Sequence, residues 1–174
     1  RFFAHYDPGF FAIIEDGWEG NNQALVDRQV AADSALLQDV ARRLQRPLPG
    51  LTVVRNARVF DSATATVGAP SDVYFYRGKV TQVLPAGSPA RGIDHQIDAA
   101  GRIMLPGLFD LHAHMDRWSG ALDIGAGVTS VRDMGNDKEQ MALMIGDTAG
   151  GLLLGPQITP AGFIEGESKF AARS

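Results

Sequence analysis

The chain has 174 residues, 45% of them hydrophobic and 21% charged, with a formal net charge of -4 and no cysteine. This is the composition of a globular protein able to bury a core of one domain or a domain and a half, and the lack of cysteine excludes disulfides and thiol chemistry. The mild negative charge argues against nucleic acid or an acidic membrane surface as a partner, and no apolar run approaches the ~18 residues of a membrane span.

Residues 1–50 hold an aromatic segment followed by a helix. Phe2, Phe3, Tyr6, Phe10, Phe11 and Trp18 are interrupted by Asp7-Pro8-Gly9 and Asp16-Gly17, which mark turns. Aromatics at this density supply buried area more often than a ligand wall, so a packed irregular segment is expected. His5 stands alone and is read as a hydrogen-bonded or surface residue. Over 22–46, Val26, Val30, Leu37, Val40 and Leu44 recur every three or four residues, which predicts an amphipathic helix. Asn21 or Asn22 is available to cap it. Arg42, Arg43 and Arg46 fall near its C-terminus, where cations complement the dipole, and Pro47 and Pro49-Gly50 stop it.

From Leu51 the period changes to two. Residues 51–61, 72–77 and 79–84 are β-branched and aromatic runs that read as strands. Arg77-Gly78 fits a two-residue hairpin turn, glycine supplying a positive φ. Residues 62–71 and 85–95 read as loops, and 97–102 as a last strand or half of a hairpin about Ala100-Gly101. Residues 51–102 are thus a β-rich unit, with sheet edges that invite pairing if nothing covers them.

Residues 103–114 form an apolar run, broken by Pro106-Gly107, that ends in His112-Ala113-His114. On a strand, residues i and i+2 share a face, so the two imidazoles stand side by side, with Asp110 and Asp116 in the same parity if the strand holds. Two neutral imidazoles on one face suit a divalent metal, zinc above all. A bare His-x-His is more often the end of a buried strand; here the run is apolar on both faces, as in parallel sheets covered by helices, and the histidines lie at its C-terminal end, where α/β barrels place their chemistry.

Residues 116–125 read as a helix with Trp118, Leu122 and Ile124 as apolar marks. Gly125-Ala126-Gly127 lacks the third glycine of a dinucleotide fingerprint and precedes its strand, which excludes that reading. Residues 128–134 read as a second strand. Asn136 with Glu139 three residues on is a capping box for a helix over 137–149, with Met141, Leu143, Met144 and Ile145 on its buried side and Gly150-Gly151 at its end. A third strand spans 157–164 and closes on Glu165-Gly166-Glu167. Three strand ends thus offer His112 and His114, then Asp133, then Glu165 and Glu167.

The segments "GRIMLPGLFDLHAHMD", "GAGVTSVRDMG" and "GPQITPAGFIEG" resemble, in order, the first three barrel strands of the amidohydrolase superfamily, in its imidazolonepropionase-like and prolidase-like branch. The resemblance covers about 51–168. It implies an α/β fold: the start of a TIM-type (β/α)8 barrel in 103–174, preceded by part of a small β-sandwich in 51–102. The N-terminal segment and helix in 1–50 lie outside the resemblance, and such a helix is not part of the common family pattern; it is read as an added element or the tail of a preceding domain. The resemblance implies that His112 and His114 are metal ligands, with one or two divalent ions, zinc foremost. Asp110 is then a supporting residue that orients an imidazole or the strand. Read from their positions at strand ends, Asp133 is a rim residue, for which an ion pair with Arg132 is at least as fitting as a role with substrate, and Glu165 is a rim candidate for a ligand or substrate contact, the alternative being a solvated loop carboxylate. Lys169 is a poor fit to the family's modified lysine, since it follows an acidic loop.

The remaining ligands of that family, and its catalytic aspartate, belong to later strands. A barrel takes about 250 residues, and 103–174 holds two to three units of ~30 residues. The chain is therefore expected to be part of a longer polypeptide, with the catalytic residues beyond Ser174. The whole would hydrolyse C–N bonds of small amides, cyclic amides or dipeptides, with the remainder of the same polypeptide as partner and a homo-oligomer possible. The alternatives are a non-catalytic barrel relative serving as a scaffold or oligomerisation module, a piece with no activity of its own, or a β-rich binding module with His-x-His incidental. Nothing in the residues decides between cytoplasm and export.

Overall fold

The computed structural model describes residues 3–6 and 11–162. They form two compact units, one from the described residues up to 45 and from 108 onward, and one from 46–107. No helix is long and apolar enough to cross a membrane among the described residues.

The first unit opens on an antiparallel ribbon, β1 (Phe3–Tyr6) against β2 (Phe11–Ile14), with Phe3 opposite Ile14 and Tyr6 opposite Phe11. Residues 3–6 and 11–14 thus form a regular ribbon where irregular packing was expected. Helix α1 (Asn22–Leu44) follows. Asn21 occupies its N-cap without a side-chain hydrogen bond. Its buried stripe is narrower than the sequence period suggests: Leu37 and Ala41 are buried, whereas Val30, Leu36 and Leu44 are exposed.

Three strands, β8 (Leu108–Ala113), β9 (Val128–Asp133) and β10 (Gln157–Pro160), pair in parallel in the order β10-β9-β8. Helices α2 (Ser119–Gly125) and α3 (Lys138–Ala149) connect them. Parallel neighbours need such crossovers. The core joins Leu37 of α1, Ala113 and Met115 from the end of β8, Val131 of β9, Met141 and Met144 of α3, and Leu153. Helix α1 is therefore part of this unit's core. The third strand stops at Pro160, and residues 163–164 of the expected strand lie outside the described residues; Ala161 N–H still reaches Asp133 O at 2.7 Å.

Helix α3 ends in a Schellman motif. Gly151, at φ +73°, donates to Thr148 O, and Leu152 donates to Asp147 O, which satisfies the last carbonyls. Gln45, just past α1, ties into this turn by donating Nε2 to Gly151 O at 3.1 Å. The cap at the other end is Asp137, whose Oδ1 accepts the N–H groups of Glu139 and Gln140. Asn136 has another task, described below. Leu143 is 65% exposed, so the buried side of α3 is Met141 and Met144, with Ile145 half-buried.

The second unit is a sheet ordered β5-β4-β3-β6, from β3 (Leu51–Asp61), β4 (Thr66–Tyr76), β5 (Lys79–Pro85) and β6 (His95–Asp98), with β7 (Ile103–Met104) also paired to β3. Arg77 and Gly78 have φ +50° and +73° between paired Tyr76 and Lys79, the two positive values of a type I′ turn. Residues 66–71, expected as loop, are strand. Asp61 tightens the preceding turn by accepting from Ala63 N–H and Thr64 Oγ1. Pro70 is tolerated because β5 joins β4 only from Ser71 onward, so its missing N–H costs no ladder bond on that side.

No hairpin forms at Ala100-Gly101. β6 and β7 both run parallel to β3, and the positive-φ pair between them sits opposite a bulge in β3, with Gly101 donating to Asn56 O at 2.8 Å. Asp72, 1% exposed, accepts the bulge's Asn56 N–H at 3.0 Å, Gly87 N–H at 2.9 Å and Arg55 Nη1 at 2.6 Å. Burial pushes the Asp72 carboxyl up, but the Asn56 N–H, the Arg55 guanidinium and the Gly87 N–H together hold it below the ordinary aspartate value.

Candidate metal centre at the end of the first parallel strand

Between Asp110 and Ala113 the register of β8 against β9 slips: Asp110 faces Val131 and Ala113 faces Asp133. Leu111 and His112 together oppose Arg132, which is a β-bulge. A bulge leaves backbone groups out of the ladder and re-aims side chains. Asp110 compensates, accepting the His112 N–H on Oδ1 at 2.9 Å. The carboxylate therefore supports the backbone under His112 and does not touch an imidazole. Asp72 does the same for the Asn56 bulge in the other unit.

The strand ends at Ala113, so His114 lies just past it. The rings nonetheless stand together, with centroids 5.6 Å apart and planes at 64°. Both residues are exposed. His114 Nδ1 lies 3.3 Å from Gly135 O. A carbonyl oxygen only accepts, so this contact is a hydrogen bond only in the tautomer with its proton on Nδ1, which leaves the lone pair on Nε2.

Asp133, at the end of β9, is 1% exposed. Its Oδ2 accepts Met115 N–H at 2.7 Å and its Oδ1 accepts Gly135 N–H at 3.0 Å. Asn136 donates Nδ2 to Met115 O at 2.6 Å and lies 3.4 Å from Asp133 Oδ2. The loop after β8 and the loop after β9 are thereby stitched together. Asp133 makes no ion pair with Arg132, which is exposed: successive strand residues point to opposite faces. Asp133 is thus a buried brace beneath the rim.

Asp116 does not extend the strand's parity. Its Oδ1 accepts Trp118 N–H at 2.6 Å and Ser119 N–H at 2.7 Å, starting α2. Asp123 on α2 has its carboxyl held above the ordinary value, by burial first and then by the charges of Asp110 and Asp116. The apolar marks Trp118, Leu122 and Ile124 are exposed, as are Leu108, Phe109 and Leu111 on β8.

Two imidazoles on one zinc at ~2.1 Å put their ring centres about 5 Å apart, so the observed pair fits as two donors. A structural zinc needs four ligands and a catalytic one three. Among the described residues no group of three or more His, Asp or Glu converges for a metal. Glu165, Glu167 and Lys169 lie outside the described residues. The sequence reading missed Asn136 as a loop strap and Gly135 as the acceptor facing His114. The one available signal was Asp133-Met134-Gly135-Asn136, a turn-forming string directly after a strand.

No family model and no curated protein matches the chain. Solved structures do. One is a Xaa-Pro dipeptidase with bound methionine in its active site: 19% identity, TM-score 0.56, covering 64% of this chain and 33% of that one. A second is molinate hydrolase, at 22% identity and TM-score 0.56, covering 67% and 31%. A third is bottromycin amidohydrolase, at 25% identity and TM-score 0.52, covering 71% and 25%. The chain shares a mixed α/β fold with these dipeptidase, hydrolase and amidohydrolase structures over 64–71% of its length. It spans about a third or less of the length of these structures.

Proposed function

We propose that this chain contributes the first two metal ligands, His112 and His114, to a metal-dependent hydrolase acting on C–N bonds of small amides or peptides. The observation that carries the reading is the adjacent imidazole pair, 5.6 Å between ring centres, at the C-terminal end of a strand in a parallel, helix-connected sheet. In this reading β8, β9 and β10 are the first strands of a TIM-type barrel, whose chemistry lies at strand C-termini. The relatives in fold bear the names of a dipeptidase, a hydrolase and an amidohydrolase, which supports the reaction class.

The chain's own residues prepare the site. Asp110 holds the bulge that aims His112, and Asp133 fixes the loops on either side of His114. A divalent ion, zinc foremost, supplies a Lewis acid and an activated water when bound. Further ligands come from outside the described residues.

The test is metal analysis of the full-length protein beside a His112→Ala, His114→Ala variant, with hydrolysis of a panel of amides and X-Pro dipeptides. The wild type is expected to hold stoichiometric metal and cleave at least one panel member, and the double variant to lose both. Equal, substoichiometric metal in the two proteins refutes the ligand assignment. Full metal without hydrolysis of any member favours a non-catalytic relative.

A further inference from the structure

His114 has fixed surroundings on two sides. The Gly135 carbonyl lies 3.3 Å from Nδ1, and the backbone of Met115 begins one residue on. Asp133 holds both, through Gly135 N–H at 3.0 Å and Met115 N–H at 2.7 Å. Asn136 holds both again: it follows Gly135 in the chain, donates Nδ2 to Met115 O at 2.6 Å, and accepts Asp137 N–H on Oδ1 at 2.9 Å. Neither side chain contacts the imidazole itself. Asp133 is 1% exposed, and Asn136 is half-buried, so water is a weak competitor for these bonds.

A free neutral imidazole in water prefers its proton on Nε2. The bond to Gly135 O selects the opposite tautomer, with the proton on Nδ1 and the lone pair on Nε2. Carbonyls facing the far nitrogen of a ligand histidine orient the ring and raise its basicity. We propose that Asp133 and Asn136 are positioning residues for His114: by clamping Gly135 and Met115 they lock the tautomer that presents Nε2 to a divalent cation. This rests on the proposed function only for the identity of what Nε2 meets.

The tautomer is readable without metal. Heteronuclear NMR of the histidine ring nitrogens is run on the metal-free, full-length protein at pH about 8, where imidazole is neutral, with His114 assigned by its loss in His114→Ala. The wild type is expected to show Nδ1–H at His114. Asn136→Ala shifts the proton toward Nε2, and zinc affinity falls about ten- to a hundredfold. Asp133→Asn, which keeps the shape and one acceptor oxygen, shifts it less in the same direction. Met144→Ala removes a core side chain on α3 and leaves the His114 tautomer unchanged. An unmoved tautomer in both Asn136→Ala and Asp133→Asn overturns the proposal, as does an equal shift in Met144→Ala. A wild type that keeps Nδ1–H but binds no zinc refutes the metal reading alone. One that binds zinc while its metal-free His114 carries Nε2–H refutes the positioning alone.

Discussion

Replacing Asp133 with alanine should loosen the whole mouth of the parallel sheet. The side chain is 1% exposed and accepts two backbone N–H groups, at 2.7 Å from Met115 and 3.0 Å from Gly135. Hydrogen bonds to a charged acceptor contribute about 1.5–3 kcal/mol each. Met115 is buried and its N–H would be left unpaired, so its bond counts in full; Gly135 is half-buried and can be rehydrated, so its bond counts for less. The sum is a loss of about 3–4 kcal/mol, a large part of the ~5–15 kcal/mol that holds a typical domain. Asp133→Asn can still turn its carbonyl toward Met115 but sets an amide N–H₂ against Gly135 N–H, for a loss of about 2 kcal/mol. Urea unfolding gives the global change, and amide hydrogen exchange at Met115 and Gly135 gives the local one. A loss under about 0.5 kcal/mol in the alanine variant, the range of surface substitutions, with Met115 still protected, would show that the brace contributes nothing.

Three further outcomes follow from the same bonds and contacts. Gly120→Ala would place a Cβ 2.7 Å from Leu154 O and 2.9 Å from Gly155 Cα; the backbone clash outweighs alanine's gain in helix propensity of ~1 kcal/mol, for a net loss of about 1–3 kcal/mol in thermal or urea unfolding. A rise in stability would mean that α2 shifts freely. Asp137→Ala removes the acceptor for Glu139 and Gln140 N–H and should lower stability by about 1 kcal/mol; Asn136→Ala, by contrast, should leave α3 capped, and exchange rates in its first turn distinguish the two. Asp72 has a folded value below its ordinary 3.8. The stability it contributes is therefore complete above about pH 4 and is lost as pH falls through the folded value. Unfolding midpoints should drop on acidification below pH 4 in the wild type and drop less in Asp72→Asn; parallel curves would refute the assignment.

Local chemistry was legible wherever it acts within a few residues. The period of 22–46 produced a helix at Asn22–Leu44, and Arg77-Gly78 produced its turn, because each depends on backbone preferences and nearest neighbours. The strand at Val128–Asp133 likewise follows from its run of β-branched residues, whereas the His112–His114 pair forms across a bulge and a strand end that simple alternation does not describe. Asn136 was misread because Asn136 and Asp137 are both competent caps. The choice fell to Asp137 once Met115 O claimed the Asn136 amide, a partner 21 positions away in sequence.

What the amino-acid order settled alone is the long helix, the Arg77-Gly78 turn and the strands that flank it, since a helix's period and a turn's φ are properties of the local backbone. What only the tertiary structure decided is the work of the carboxylates. Asp110, Asp133 and Asp72 look alike in sequence, as acids in or at the ends of strands. Each was assigned by the backbone N–H it was folded against, because an unpaired buried amide is costly and the carboxylate that reaches it becomes structural. Two of those amides belong to bulges, and a bulge exists only once two strands have found their register.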